Sequence, residues 1–91
     1  MVKRARIIVR GQVQGVFFRQ RTKDEAKSLN LVGWVKNTED GDVMIMVQGP
    51  EECIEALIAW ARVGPTQAKV KKVEIEWLEP SNDLSDFEII I

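Results

Sequence analysis

The chain has no histidine and a single cysteine, Cys53. Without histidine it lacks the commonest general base and the commonest transition-metal ligand, so the usual catalytic triads are excluded and a zinc site is disfavoured. One cysteine excludes an internal disulfide. Cys53 sits among apolar residues at helical spacing, which marks a packing thiol rather than a nucleophile. No charge of one sign dominates, because 13 Lys and Arg stand against 14 Asp and Glu for a net charge of −1. That balance supplies no field for non-specific attachment to nucleic acid or to a membrane. No apolar run approaches the length of a membrane span. Met1 to Arg6 leads straight into a strand pattern rather than a signal peptide, so a cytoplasmic location is expected.

What is present fits one domain over residues 1–91. A hydrophobic content of 45% with 30% charge is that of an ordinary globular chain. So short a chain buries only roughly 60–65% of its unfolded surface, which demands a compact core.

Arg4 to Arg10 alternates. Ala5, Ile7 and Val9 share one face, and Arg6, Ile8 and Arg10 the other, as in a half-buried strand. Phe18, Thr22, Ala26 and Leu29 then recur at helical spacing, and Asn30 follows where a left-handed cap is expected. Val32 to Asn37 reads as a second strand. Thr38-Glu39-Asp40-Gly41 is a hairpin signal, and Asp42 to Gln48 a third strand. Gly49-Pro50-Glu51-Glu52 opens a second helix, whose buried stripe is Ile54, Leu57, Ile58 and Ala61; Gly64-Pro65 ends it. Lys71 to Trp77 alternates again, with Val73, Ile75 and Trp77 expected inward. Phe87 to Ile91 is a short terminal strand.

The order β-α-β-β-α-β plus a last strand predicts an α+β, ferredoxin-like sandwich. Right-handed crossovers put both helices on one face of an antiparallel sheet of order 4-1-3-2. In that order Glu74 and Glu76 lie beside Arg6 and Arg10 on the open face, where opposite charges favour the pairing.

Between the first strand and the first helix lies Gly11-Gln-Val-Gln-Gly-Val-Phe-Phe-Arg19. A turn of backbone amides at a helix N-terminus suits an anion, because unpaired donors and the helix dipole both point at it. Arg19 adds a planar cation that matches phosphate oxygens. The residues thus propose a phosphate site. The first and second strands run parallel in this topology, so Asn37, at the end of the second, emerges at the edge that carries the loop.

Two spaced motifs agree with one family. Gly11, Val13, Gln14, Gly15, Val16, Phe18 and Arg19 fit Gly-x-Val-Gln-Gly-Val-x-Phe-Arg. Gly33, Trp34, Val35, Asn37, Gly41, Val43 and Gly49 fit a second pattern that begins Gly-Trp-Val-x-Asn. Over its whole length the chain resembles the acylphosphatases. The resemblance implies hydrolysis of the carboxyl–phosphate bond of small acyl phosphates to a carboxylate and inorganic phosphate, with phosphate also an inhibitor. It implies no metal, no cofactor and no covalent intermediate. Arg19 and the backbone N–H groups of Gln14, Gly15, Val16, Phe17, Phe18 and Arg19 would bind the phosphoryl group, and Asn37 would orient the attacking water. Thr38 either supports Asn37 or shapes the turn. The Gln14 side chain lines the loop. Val16, Phe17 and Phe18 are expected to pack and hold it. A carboxylate is already a good leaving group, so positioning and charge stabilisation can suffice without histidine or cysteine.

A second class of function rests on the other face. Ile8, Trp34, Met44 and Met46 form an apolar strip away from the helices, which suits a non-catalytic, protein-binding relative or a homodimer contact; a monomer is the default. RNA-recognition domains share this element order but stack bases on aromatics of that face, and the third strand, Val43 to Gln48, carries none. Acylphosphatase-like domains also occur within larger hydrogenase-maturation carbamoyltransferases; the absence of their downstream parts here favours the simple enzyme.

Overall fold

A computed structural model describes residues 1–90. The elements are β1 (Val2–Gln12), α1 (Phe18–Ser28), β2 (Val32–Asn37), β3 (Val43–Pro50), α2 (Glu51–Val63), β4 (Lys69–Leu78) and β5 (Phe87–Ile89). They form one sheet of order β4-β1-β3-β2-β5. The expected order 4-1-3-2 is therefore present. The last strand extends it by pairing parallel to β2, Gly33 opposite Phe87 and Val35 opposite Ile89. The sheet is mixed rather than purely antiparallel.

The alternation in sequence is the alternation in burial. Ala5, Ile7 and Val9 of β1 lie opposite Val47, Ile45 and Val43 of β3, and all six are fully buried. Phe18, Thr22 and Ala26 of α1 and Ile54, Leu57, Ile58 and Ala61 of α2 close over this face. Each large aliphatic side chain so buried contributes about 1.5–3 kcal/mol. Thr22, buried on α1, satisfies its hydroxyl by donating to the Phe18 carbonyl at 2.7 Å. On the open face Arg6 pairs with Glu76, and Arg10 with Glu74 at 2.8 Å.

Several boundaries differ from the pattern. β3 starts at Val43 and runs through Gly49 to Pro50, so Pro50 is the last strand residue and caps α2 from outside rather than sitting in its first turn. β1 and β4 extend further than their alternating stretches. Trp77, expected inward, is 46% exposed, because it lies near the end of β4, an edge strand. Of the terminal segment Phe87 to Ile91, Phe87–Ile89 is strand, and Ile91 lies outside the described residues. Among the described residues no helix is long and apolar enough to cross a membrane.

Candidate active site

The site grows out of the end of β1. The register of β1 against β4 shifts between Arg10 and Gly11. A Cβ on Gly11 would stand 2.1 Å from the Lys69 carbonyl oxygen, so only glycine lets the two backbones close here. The chain then leaves the sheet. Gly15 turns at φ 75° and Phe17 at φ 63°, and α1 starts at Phe18.

The start of α1 is unusual in what it omits. Phe17 occupies the cap position in a left-handed conformation, no side chain caps the first turn, and that turn holds no acid. The first helical bond runs from Arg21 N–H to the Phe17 carbonyl at 3.0 Å. The N–H groups of Phe18, Arg19 and Gln20 meet no backbone acceptor among the described residues. Such groups are the orphan donors of a helix start, and their dipole attracts an anion. The helix is anchored just behind them. Phe18 is buried, its ring 5.4 Å from that of Trp60 on α2.

Asn37 is the last residue of β2 and lies opposite Val43 of β3. Its side-chain Oδ1 is buried and has no hydrogen-bond partner among the described residues. An amide oxygen with no such partner can accept a hydrogen bond from a water or ligand in the cleft. Asn37, Arg19, Gln20, Gly15, Phe17 and Phe18 line one cleft of about 360 Å³, together with Val13 and Ile89. The loop and the end of β2 thus meet, as the parallel course of β1 and β2 requires.

Gln14, Val16 and Thr38 stand behind this cleft rather than on its wall. The Gln14 amide donates to the carbonyls of Thr38 and Asp42, each at 2.9 Å, and so ties the loop to the hairpin that carries Asn37. Val16 packs against the core. Thr38 shapes the turn. Its N–H donates to the Asp42 carbonyl at 2.9 Å, and its hydroxyl accepts from the Asp42 N–H at 3.1 Å. Phe17 departs from expectation. It is 76% exposed, and its backbone conformation rather than its ring makes the turn.

Behind the hairpin a charged brace holds Asp42, which is itself buried. Arg10 Nη1 donates to Asp42 at 2.7 Å, and Arg10 Nε and Nη2 donate to Glu74 at 3.0 and 2.8 Å. The hydrogen bonds from Arg10, with help from Lys72, hold the Glu74 carboxyl below its ordinary range; the Arg10 pKa is raised in return, chiefly by Glu74. Among the described residues no three His, Cys, Asp or Glu side chains converge as a metal site would require.

Of the other lining residues, Val13 enters the sequence reading only through the first motif, and Gln20 and Ile89 do not enter it as site residues. Gln20 follows Arg19 on the first turn of α1 and could have been read from helix geometry. Ile89 reaches the cleft only because β5 pairs with β2, and nothing local in the sequence signals that pairing.

Comparison with known proteins agrees with this geometry. A family model described as acylphosphatase matches residues 5–89. The chain is 49% identical over 86 residues to an acylphosphatase of Anaeromyxobacter dehalogenans, covering 94% of this chain and 92% of that one. It is 47% identical over 88 residues to an acylphosphatase of Pyrobaculum calidifontis, covering 96% and 80%. The crystal structure of acylphosphatase from Bacillus subtilis superposes with a TM-score of 0.94 at 35% identity, covering both chains completely. An uncapped helix start facing an unpaired asparagine, on this sheet and with these relatives, identifies the chain as a member of the acylphosphatase family of enzymes.

Proposed function

We propose that this chain hydrolyses the carboxyl–phosphate bond of small acyl phosphates, with Arg19 and the 14–19 loop holding the phosphoryl group and Asn37 orienting the water. One observation carries the reading. The orphan amides of α1 and the unpaired Oδ1 of Asn37 open onto the same cleft. The first is a site for an anion; the second is an acceptor for a water proton.

The steps follow from that arrangement. The loop amides and the Arg19 guanidinium receive the phosphoryl oxygens and spread their charge as the P–O bond to the acyl group lengthens. Asn37 Oδ1 accepts a hydrogen bond from water and fixes its lone pair on phosphorus. The water oxygen bonds to phosphorus, the acyl oxygen leaves as carboxylate with the bonding pair, and the water proton passes to a phosphoryl oxygen. No protein group need titrate, in keeping with a chain that has no histidine. The steps call on no metal and form no covalent intermediate. The Gln14 bonds to Thr38 and Asp42 set the distance between the anion cradle and Asn37.

Hydrolysis of acetyl phosphate and benzoyl phosphate by the wild type, beside Arg19→Ala and Asn37→Ala, tests the proposal. Turnover that both substitutions remove supports it. A wild type that neither turns over these substrates nor binds phosphate overturns it in favour of a binding module built on the open sheet face.

A further inference from the structure

Phe17 is unexplained by anything so far. Its ring is 76% exposed, and its φ of 63° is one that glycine adopts more readily. Neither burial nor the turn calls for an aromatic residue there. What distinguishes Phe17 is its place between two cavities. It lines the phosphate cleft, and it also lines a neighbouring groove of about 460 Å³ bounded by Val16, Arg21, Asp24, Pro65, Thr66 and Gln67. Gln20 is the other residue common to both. Asn37 lines the cleft and not the groove.

That asymmetry gives the substrate a direction. In phosphoryl transfer the attacking and leaving oxygens stand roughly in line on opposite sides of phosphorus. A water held at Asn37 sends the leaving acyl group away from Asn37. The groove shares Phe17 and Gln20 with the cleft and is not lined by Asn37, so it is the neighbouring cavity offered to a group that leaves away from Asn37. The groove offers an aromatic ring, a valine and a proline to an apolar group, beside a polar rim of Arg21, Asp24, Thr66 and Gln67.

From this geometry we infer that the groove is the acyl subsite and that the Phe17 ring is its platform, selecting aromatic and larger apolar acyl phosphates over acetyl phosphate. The inference rests on the proposed hydrolase activity and adds to it a substrate class and a specificity-determining residue. The loop amides treat every acyl phosphate alike, since all share the phosphoryl group; only the groove can tell a benzoyl group from an acetyl group.

The test is a ratio within each enzyme: kcat/KM for benzoyl phosphate divided by kcat/KM for acetyl phosphate. Any disturbance of the phosphate loop alters both terms and cancels. Phe17→Ala keeps the backbone demand at φ 63° and removes the ring, and should lower the ratio about tenfold, the scale of losing one side of an aromatic contact. Phe17→Trp should preserve or raise it. Thr66→Trp, which narrows the groove from a position outside the phosphate cleft, should lower it several-fold. Equal ratios in wild type, Phe17→Ala and Thr66→Trp, with acetyl phosphate still turned over, overturn the subsite and leave the hydrolase standing. Failure of the wild type to turn over either substrate overturns the activity and the subsite together.

Discussion

The two helices begin in opposite ways. α2 starts after Pro50, with Glu51 and Glu52 in its first turn. Those carboxylates meet the positive end of the dipole from within the chain. Neither start has a side-chain cap, but α1 follows a left-handed Phe17 and carries no acid and the cation Arg19 in its first turn. A cation there costs roughly 0.3–1 kcal/mol, where each acid of α2 gains a similar amount. Both helices lie over the same core and are of similar length, so packing does not require the difference. One helix start carries its own anions; in the proposed function the other receives one from outside, and the unfavourable charge at α1 is what that reading explains.

The strongest way to break this contrast is to remove the cation. Arg19→Ala should lower kcat/KM about 10³–10⁵-fold, the range for an arginine that stabilises charge in phosphoryl transfer. The fold should survive, because Arg19 contributes nothing to the buried core. Phosphate should raise the Tm of the wild type and not of the variant. Equal phosphate affinity in both, measured by calorimetry, would refute the assignment.

Asn37→Ala should be next in size. In the proposed mechanism the amide acts on the water and not on the anion, so kcat should fall about 10²–10³-fold while phosphate affinity and KM change little. Asn37 Oδ1 makes no hydrogen bond within the described residues, so the variant's stability in phosphate-free buffer should stay close to that of the wild type. A turn-stabilising Asn37 predicts the reverse pattern: a Tm lower by several degrees with normal turnover. Unfolding and kcat measured on one preparation separate the two.

Most of this architecture is legible in the order of residues, for reasons that differ by element. The first and third strands are readable because Ala5, Ile7 and Val9, and Val43, Ile45 and Val47, alternate with polar or half-buried neighbours. The stripe of α2 is readable because Ile54, Leu57, Ile58 and Ala61 fall at helical spacing. Arg19 and Asn37 meet because the fold makes β1 and β2 parallel, and that fold follows from the element order. Three features resist. β5 is three residues long, and its partner is some 50 residues away in sequence, so no local period records the pairing. Trp77 obeys the alternation but lies near the end of an edge strand, where it is only half covered and Lys3 rather than a helix lies over its ring. Phe17 interrupts the rule that bulky apolar residues are buried; its position is set by the backbone turn and not by a core.

A smaller effect comes from making α1 resemble α2. Gln20→Glu places an acid at the third position of α1, where it complements the dipole as Glu51 and Glu52 do in α2. In phosphate-free buffer the Tm should change little, because the gain at the dipole is set against the lost Gln20–Asp24 hydrogen bond and a like-charge pair one turn apart. Phosphate affinity should fall about tenfold, because the new carboxylate competes for the same amides and repels the anion. The reciprocal change, Glu51→Gln with Glu52→Gln, should lower stability by about 1 kcal/mol and leave phosphate affinity unaltered. An unchanged phosphate affinity in Gln20→Glu would show that the start of α1 is not where the anion sits.

The smallest expected effect concerns a different pair of arginines. Arg19 faces the cleft, whereas Arg10 is occupied within the protein by Asp42 and Glu74 and braces the hairpin beneath Asn37. The hydrogen bonds from Arg10 and then Lys72 hold the Glu74 carboxyl below its ordinary range in the folded chain. A depressed carboxylate pKa contributes stability that is fully present above the unfolded value and is lost as pH falls through the folded one. The pair is solvent-exposed on the sheet face, so its share is modest and salt-sensitive. Glu74→Gln should therefore lower the Tm slightly at about pH 7, and the gap from the wild type should close between about pH 5 and pH 2 as Glu74 itself becomes neutral. At neutral pH kcat should fall less than in Asn37→Ala, because Asp42 still holds Arg10 and the two Gln14 bonds still hold the hairpin. Melting curves of the two proteins across that pH range decide the point. A gap that stays constant would mean that Arg10 draws its order from Asp42 alone, and that the brace behind Asn37 does not depend on Glu74.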